Sequence, residues 1–126
     1  MLLSACQSPP TDADVTVVFT DDGCTYKGPD GAVENPVTFT YTNNTDGEEF
    51  GIGIVTLKEG YGRSDLEAYQ GFGTPGFVDH FVALLYNSPG QTTTTEVTLD
   101  AGKEHFIVCG RDGGPVASVL AVLTPK

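Results

Sequence analysis

Two cysteines and two histidines carry most of the chemistry open to this chain: Cys24, Cys109, His80 and His105. Thiolates and imidazoles are the ligands of copper and zinc centres, and a thiol pair is also the reagent of disulfide exchange. Spacing narrows these options. His105 precedes Cys109 by four residues; on an extended strand both then lie on one face, about 13 Å apart, and cannot chelate one ion. Two thiolates without further ligands at zinc spacing do not close a zinc site. The cysteines do not form Cys-x-x-Cys, so thioredoxin-like exchange is unsupported. Asp79-His80 looks like an orienting pair, but neighbouring strand residues point to opposite faces, which favours a surface Asp beside a half-buried His. Asp21, Asp22, Asp30 and Asp46 invite a calcium loop. The EF-hand spacing and its bidentate Glu are missing, and turn chemistry accounts for these residues without a metal. No Gly-x-Ser-x-Gly elbow occurs, and no Gly-rich phosphate loop opens a helix. The sequence therefore gives no catalytic residue, no metal ligand and no cofactor, and the chain reads as a non-enzyme.

A third cysteine has a different context. Leu3-Ser4-Ala5-Cys6 resembles the lipobox of bacterial lipoprotein signal peptides, in which the cysteine is lipidated and becomes the first residue after cleavage. On this reading Met1-Leu2-Leu3 is the tail of an apolar stretch that starts upstream. The alternative is an ordinary exposed cysteine. Gln7 to Asp14 is polar and Pro-rich, as suits a semi-extended spacer. The expected division is a lipobox remnant and tether over 1–14 and a folded domain over 15–126. The expected location is extracytoplasmic, lipid-anchored through Cys6 to a bacterial membrane, at the cell surface or in the periplasm. If Cys6 is lipidated, Cys24 and Cys109 remain, and two cysteines in an exported domain usually pair.

Composition excludes one partner class. The formal charge is −11, from 6 basic and 17 acidic side chains. Such a surface repels nucleic-acid phosphates, and the six cations form no basic patch. Nucleic acid is not an expected partner.

The elements that must position these residues read as strands. Val15–Phe19 opens the domain. Val37–Thr42 and Thr92–Leu99 alternate apolar and polar residues, the signature of half-buried strands. In Glu49–Leu57, Gly51 and Gly53 suggest a bulge or the close approach of another backbone. His80–Tyr86 is nearly continuous in apolar residues and reads as a central strand. Phe106–Cys109 and Val116–Leu123 follow. Turn clusters such as Asp21-Asp22-Gly23, Ser88-Pro89-Gly90 and Asp100-Ala101-Gly102 separate them. Seven or eight strands so punctuated predict an antiparallel β-sandwich. One short helix is expected from Ser64-Asp65-Leu66-Glu67, with Ser64 as cap and Glu67 reaching back. Tyr61, Phe72 and Phe77 flank it in a long connection and form the candidate binding surface, for a protein or glycan partner. The alternative is that they fold back over the sandwich edge.

The order of these motifs resembles the cupredoxin-like sandwich, and more narrowly the copper-free, lipoprotein-borne cupredoxin-like domains of bacteria. The residues that carry the resemblance are Cys24-Thr25-Tyr26-Lys27-Gly28-Pro29, Thr42-Asn43-Asn44-Thr45, Ser88-Pro89-Gly90 and Leu99 to Cys109, within Val15 to Leu123. It implies an all-β, antiparallel Greek-key sandwich. It also implies a tyrosine where this chain has Lys103-Glu104-His105-Phe106. A blue-copper site uses two imidazoles, one thiolate and a weak axial Met or Gln. The resemblance places the thiolate at the end of the penultimate strand, where Cys109 stands, with a His and a Met in the loop that follows. Here Gly110 to Pro115 contains neither, and the one Met is Met1. The resemblance thus implies a domain without type-1 copper, in which Cys24 and Cys109 lie close enough to bridge. A buried free thiol at Cys109 is the alternative. The function expected is a membrane-tethered, non-catalytic binding or structural module. The competing expectation is copper handling or electron transfer with a non-standard ligand set.

Overall fold

The computed structural model describes residues 14–47, 49–69, 74–111 and 116–126. In these, nine strands and one helix follow in order: β1 (Asp14–Thr20), β2 (Gly23–Lys27), β3 (Gly31–Val33), β4 (Val37–Asn43), β5 (Phe50–Leu57), α1 (Arg63–Ala68), β6 (Val78–Asn87), β7 (Thr92–Val97), β8 (His105–Arg111) and β9 (Val116–Pro125). They form a four-stranded sheet, β2-β1-β4-β7, and a five-stranded sheet, β3-β9-β8-β5-β6. Alternation turns one face of each sheet inward. Val15, Val17 and Phe19 of β1 and Val37, Phe39 and Tyr41 of β4 meet Phe50, Ile52 and Ile54 of β5 and Ile107 of β8 in one buried core. The outward threonines of β4 pair across to β7, Thr40 with Thr94 at 3.1 Å and Thr42 with Thr92 at 2.9 Å. The threonine tract is therefore a cross-strand ladder. Among the described residues no helix is long and apolar enough to cross a membrane.

The β-sandwich stands, with four differences from the sequence reading. Its sheets are mixed, because β1 pairs with β4 and β3 with β9 in parallel. The parallel pairs arise where the chain leaves β2 in one sheet and enters β3 in the other. The Cys24 to Pro29 motif builds that corner. Tyr26 Oη donates to the Pro29 carbonyl at 2.5 Å, and a Cβ on Gly28 would lie 3.1 Å from the Asp14 carbonyl oxygen. Burial, and next the Asp30 charge, push the Tyr26 phenol well above its ordinary pKa, so it stays a donor. The second difference is the number of strands. β2 and β3 are short and half-polar, and they show no period-2 signal of their own.

The third concerns His80–Tyr86, which lies on the edge strand β6 rather than centrally. Phe81, Leu84 and Tyr86 are exposed there, over the bare strand positions Gly51 and Gly53. A Cβ on Gly51 would meet the Tyr86 ring at 2.6 Å. Side chains lie nearest to these glycines, and the β5–β6 register shifts fall after Ile54 and after Thr56. The fourth is the cap of α1. Gly62 is the N-cap, and the Asp65 carboxylate accepts its N–H at 2.8 Å. Glu67 instead pairs with Arg63 at 3.3 Å. Asp65 is the acidic residue three positions after the cap, so it takes the role expected of Glu67. Leu66 fixes the helix to the outer face of the five-stranded sheet, among Val55, Phe106, Val108 and Val119.

Candidate functional site

The two ends of the sandwich differ in character. At one end β1, β4, β6 and β8 finish, and polar bonds and a covalent bond tie them together. Cys24 on β2 and Cys109 on β8 form a disulfide that joins the two sheets, with Cα atoms 6.7 Å apart. Beside it lies a buried amide pair. Asn43 Nδ2 donates to the Asn87 carbonyl at 2.9 Å, and Asn43 Oδ1 accepts from the Thr45 hydroxyl at 2.6 Å. Asn87 Nδ2 donates to the carbonyls of Tyr41 at 2.7 Å and Gln91 at 3.1 Å, and its Oδ1 accepts from Thr93 at 2.7 Å. Sequence reading named Asn43 only within a motif and missed Asn87. The available signal was an Asn beside the Ser-Pro-Gly turn.

The residues that sequence reading weighed for metals do not converge. Cys109 Sγ is bonded to Cys24. His105 is fully buried at the start of β8. Its Nε2 accepts the Asp100 N–H at 3.0 Å and its Nδ1 donates to the Lys103 carbonyl at 2.8 Å, so both ring nitrogens are engaged. His80 is exposed on the edge strand. Asp46 N–H donates to Asp21 Oδ1 at 3.1 Å, but Asp30 lies at the far end of the β1–β2 hairpin, on the Val122 N–H at 2.9 Å. The four turn aspartates therefore do not share a site. Among the described residues no group of three or more His, Cys, Asp or Glu is placed to hold a metal ion. The set two imidazoles, thiolate and axial sulfur does not fit this arrangement.

His105 has a measurable consequence. Burial lowers its pKa from 6.5, and the hydrogen bond to Lys103 and the Asp100 charge offset this only in part. Between the lowered folded value and 6.5 the unfolded chain binds the extra proton and the folded chain does not. His105 therefore contributes stability that is fully present above the unfolded pKa and lost as pH falls through that window. Urea midpoints from about pH 7.5 down to about 5.5 should fall in the parent and fall less in His105→Gln. Equal slopes in the two proteins would refute this assignment.

The opposite end is open. β5 and β8 present Thr56, Leu57 and Phe106 there as a floor. Lys58, Glu59, Asp79, Lys103 and Glu104 form the rim of a groove of about 500 Å³. Tyr61 closes one side. It follows a turn in which its N–H donates to the Lys58 carbonyl at 3.2 Å and Gly60 takes φ +92°. That third position of a type II turn requires glycine. The Tyr61 ring stacks on Phe77 at 4.8 Å and 8°, and Phe77 meets Tyr69 edge-on at 6.2 Å. Tyr61 remains 47% exposed, whereas Phe77 is half-buried against the cluster under α1. Of the three aromatics singled out in the sequence, Tyr61 and Phe77 thus meet, and the cover reading applies to Phe77. Phe72 lies outside the described residues, as does Cys6. Sequence reading missed Thr56. It is 97% buried, and its Oγ1 has no hydrogen-bond partner among the described residues.

No protein-family model matches the chain, and no curated protein matches it in sequence. Among solved structures it is similar to sodium-dithionite-reduced auracyanin, a cupredoxin, from the photosynthetic bacterium Roseiflexus castenholzii. The TM-score is 0.53 and the identity 18%, over 93% of this chain and 99% of that one. The fold is cupredoxin-like.

Proposed function

We propose that this chain is a non-catalytic binding module on the cupredoxin-like sandwich, without a type-1 copper site, held outside the cytoplasm by a lipid on Cys6. One observation carries the reading. The cysteine where the fold resemblance puts a metal thiolate is bonded to Cys24 and has no thiolate to give. The surroundings support it further, because both ring nitrogens of the nearest-in-sequence imidazole, His105, bond to backbone. The constrained end is then a structural staple, and the groove at the other end is the working surface. Copper handling or electron transfer draws on fold likeness alone, and one fold serves many functions. Its partner class, protein or glycan, follows from the exposed aromatic beside the groove rather than from any metal.

The test is a free-thiol count in denaturant, without reductant, on the Cys6→Ser protein exported by its host, followed by copper titration of the folded protein. The expected results are no free thiol and no intense thiolate-to-copper absorption. Two free thiols together with such a band would overturn the reading. In the same host the unaltered protein should sediment with membranes and the Cys6→Ser protein should not.

A further inference from the structure

We infer that the edge strand β6 pairs with β6 of a second copy of this chain, antiparallel about a two-fold axis at Leu85, so that two five-stranded sheets join into one. The inference goes beyond the binding-module reading and needs no ligand in the groove. A free sheet edge carries a row of unpaired backbone donors and acceptors, and proteins block such edges with short strands, charges or prolines. The two sheets have four edges among the described residues, β2, β7, β3 and β6. β3 has three residues, β2 ends in Lys27, and β7 carries four threonines and Glu96. β6 is different. It is ten residues long, and from Phe81 to Asn87 it holds neither charge nor proline. Of the four large apolar side chains exposed among the described residues, three stand on it: Phe81, Leu84 and Tyr86.

Register, charge and area point to the same occupant. β6 pairs regularly with β5 over Ala83–Asn87, opposite Phe50–Ile54, and the register shifts lie outside that stretch. Bulges turn an edge away from a newcomer, which leaves Ala83–Asn87 as the segment able to take another strand. Residues directly opposite in an antiparallel pair share a face. A two-fold axis at Leu85 therefore sets Leu84 against Tyr86 of the second copy on the outer face, twice over. The patch is also low, because Tyr86 lies over Gly51, and Phe81 and Leu84 lie over Gly53. Two chains of formal charge −11 repel each other, and this register keeps the carboxylates of β6 apart. Asp79 is the acidic residue of the strand. Six residues from the axis it stands about 20 Å away, so the two Asp79 groups are about 40 Å apart, several screening lengths. A pairing centred nearer Asp79 would bring them together. The three side chains expose on the order of 300 Å² per copy, against about 800 Å² per partner in a standard interface. Backbone hydrogen bonds add to this, and the dimer is a weak one, with Kd on the order of 100 µM.

The experiment is sedimentation equilibrium of the folded Cys6→Ser protein from about 5 µM to about 1 mM, at about 0.05 M and about 0.5 M NaCl. A monomer–dimer equilibrium is expected, tighter at the higher salt because the repelling charges are screened. Leu84→Glu should weaken it about tenfold or more, since it sets a carboxylate against an aromatic ring at both contacts. Tyr86→Lys should weaken it as well. The double variant Leu84→Glu/Tyr86→Lys puts opposite charges directly across the axis and should recover most of the loss. Both side chains are exposed, and urea midpoints check that each variant is folded. A monomer at every concentration in both salts, association that weakens with salt, an unchanged constant in Leu84→Glu, or no recovery in a folded double variant would each overturn the inference. Failure here leaves the copper and thiol results untouched.

Discussion

Reducing the Cys24–Cys109 bond lowers the unfolding free energy by about 4–5 kcal/mol, by the chain-entropy relation for a closed loop of this size. The separation of 85 residues makes the loop span most of the described domain, so the unfolded chain regains nearly all of its freedom when the bond is cut. The location matters as much as the length. Cys24 sits on an edge strand of the four-stranded sheet and Cys109 inside the five-stranded sheet, fully buried. No other covalent cross-link joins the two sheets among the described residues. Urea unfolding of the oxidised and the reduced protein gives the difference directly, because reduction leaves both sulfurs in the core and removes only the link. The urea dependence should also steepen on reduction, since an unlinked unfolded chain exposes more surface. A difference below about 1 kcal/mol would mean that the reduced unfolded state stays compact, and would refute the entropic account.

This staple was legible in the sequence, although only through compartment and resemblance. What the sequence hid was physical in each case. β4 was plain because its threonines face solvent and its large apolar residues face the core. β2 and β3 were not, because they are held by pairing to β1 and β9 rather than by burial of their own side chains. Apolar content alone made β6 look central. Its exposed Leu84 and Tyr86 are needed by Gly51 and Gly53 on the neighbouring strand, a demand visible only across the sheet. The aromatics around α1 were named from exposure and loop position. That Tyr61 lies on Phe77 depends on a turn at Gly60 and a strand start at Val78. Thr56 was invisible for a deeper reason. A threonine on a strand is ordinary, and only three dimensions reveal that its hydroxyl lacks a partner. The same property makes Thr56→Val a test of the free protein. Removing an unsatisfied buried hydroxyl should raise stability by about 1 kcal/mol or more.

The second large effect is expected at Asn87. Asn87→Ala should destabilise the fold by about 3 kcal/mol, since three hydrogen bonds of about 1 kcal/mol each are lost. Their partners are the Tyr41 and Gln91 carbonyls and the Thr93 hydroxyl, which belong to β4, the turn after β6, and β7. One amide thus ties the edge of the five-stranded sheet to two strands of the other. The isosteric change Asn87→Asp separates bonding from packing. It keeps the volume and the acceptor toward Thr93, but points a carboxylate oxygen at two carbonyl oxygens. The folded protein then holds the proton more tightly than the unfolded chain, so the folded pKa is raised above the usual value near 3.9. Its stability should therefore fall as pH rises through that range, opposite in sign to the contribution of His105. Urea midpoints of Asn87→Asp and the parent at about pH 4 and about pH 7 check this. A deficit that does not grow with pH would mean that the amide is not the donor to Tyr41 and Gln91. This end would then be held by the disulfide and by Asn43, whose amide donates to the Asn87 carbonyl at 2.9 Å.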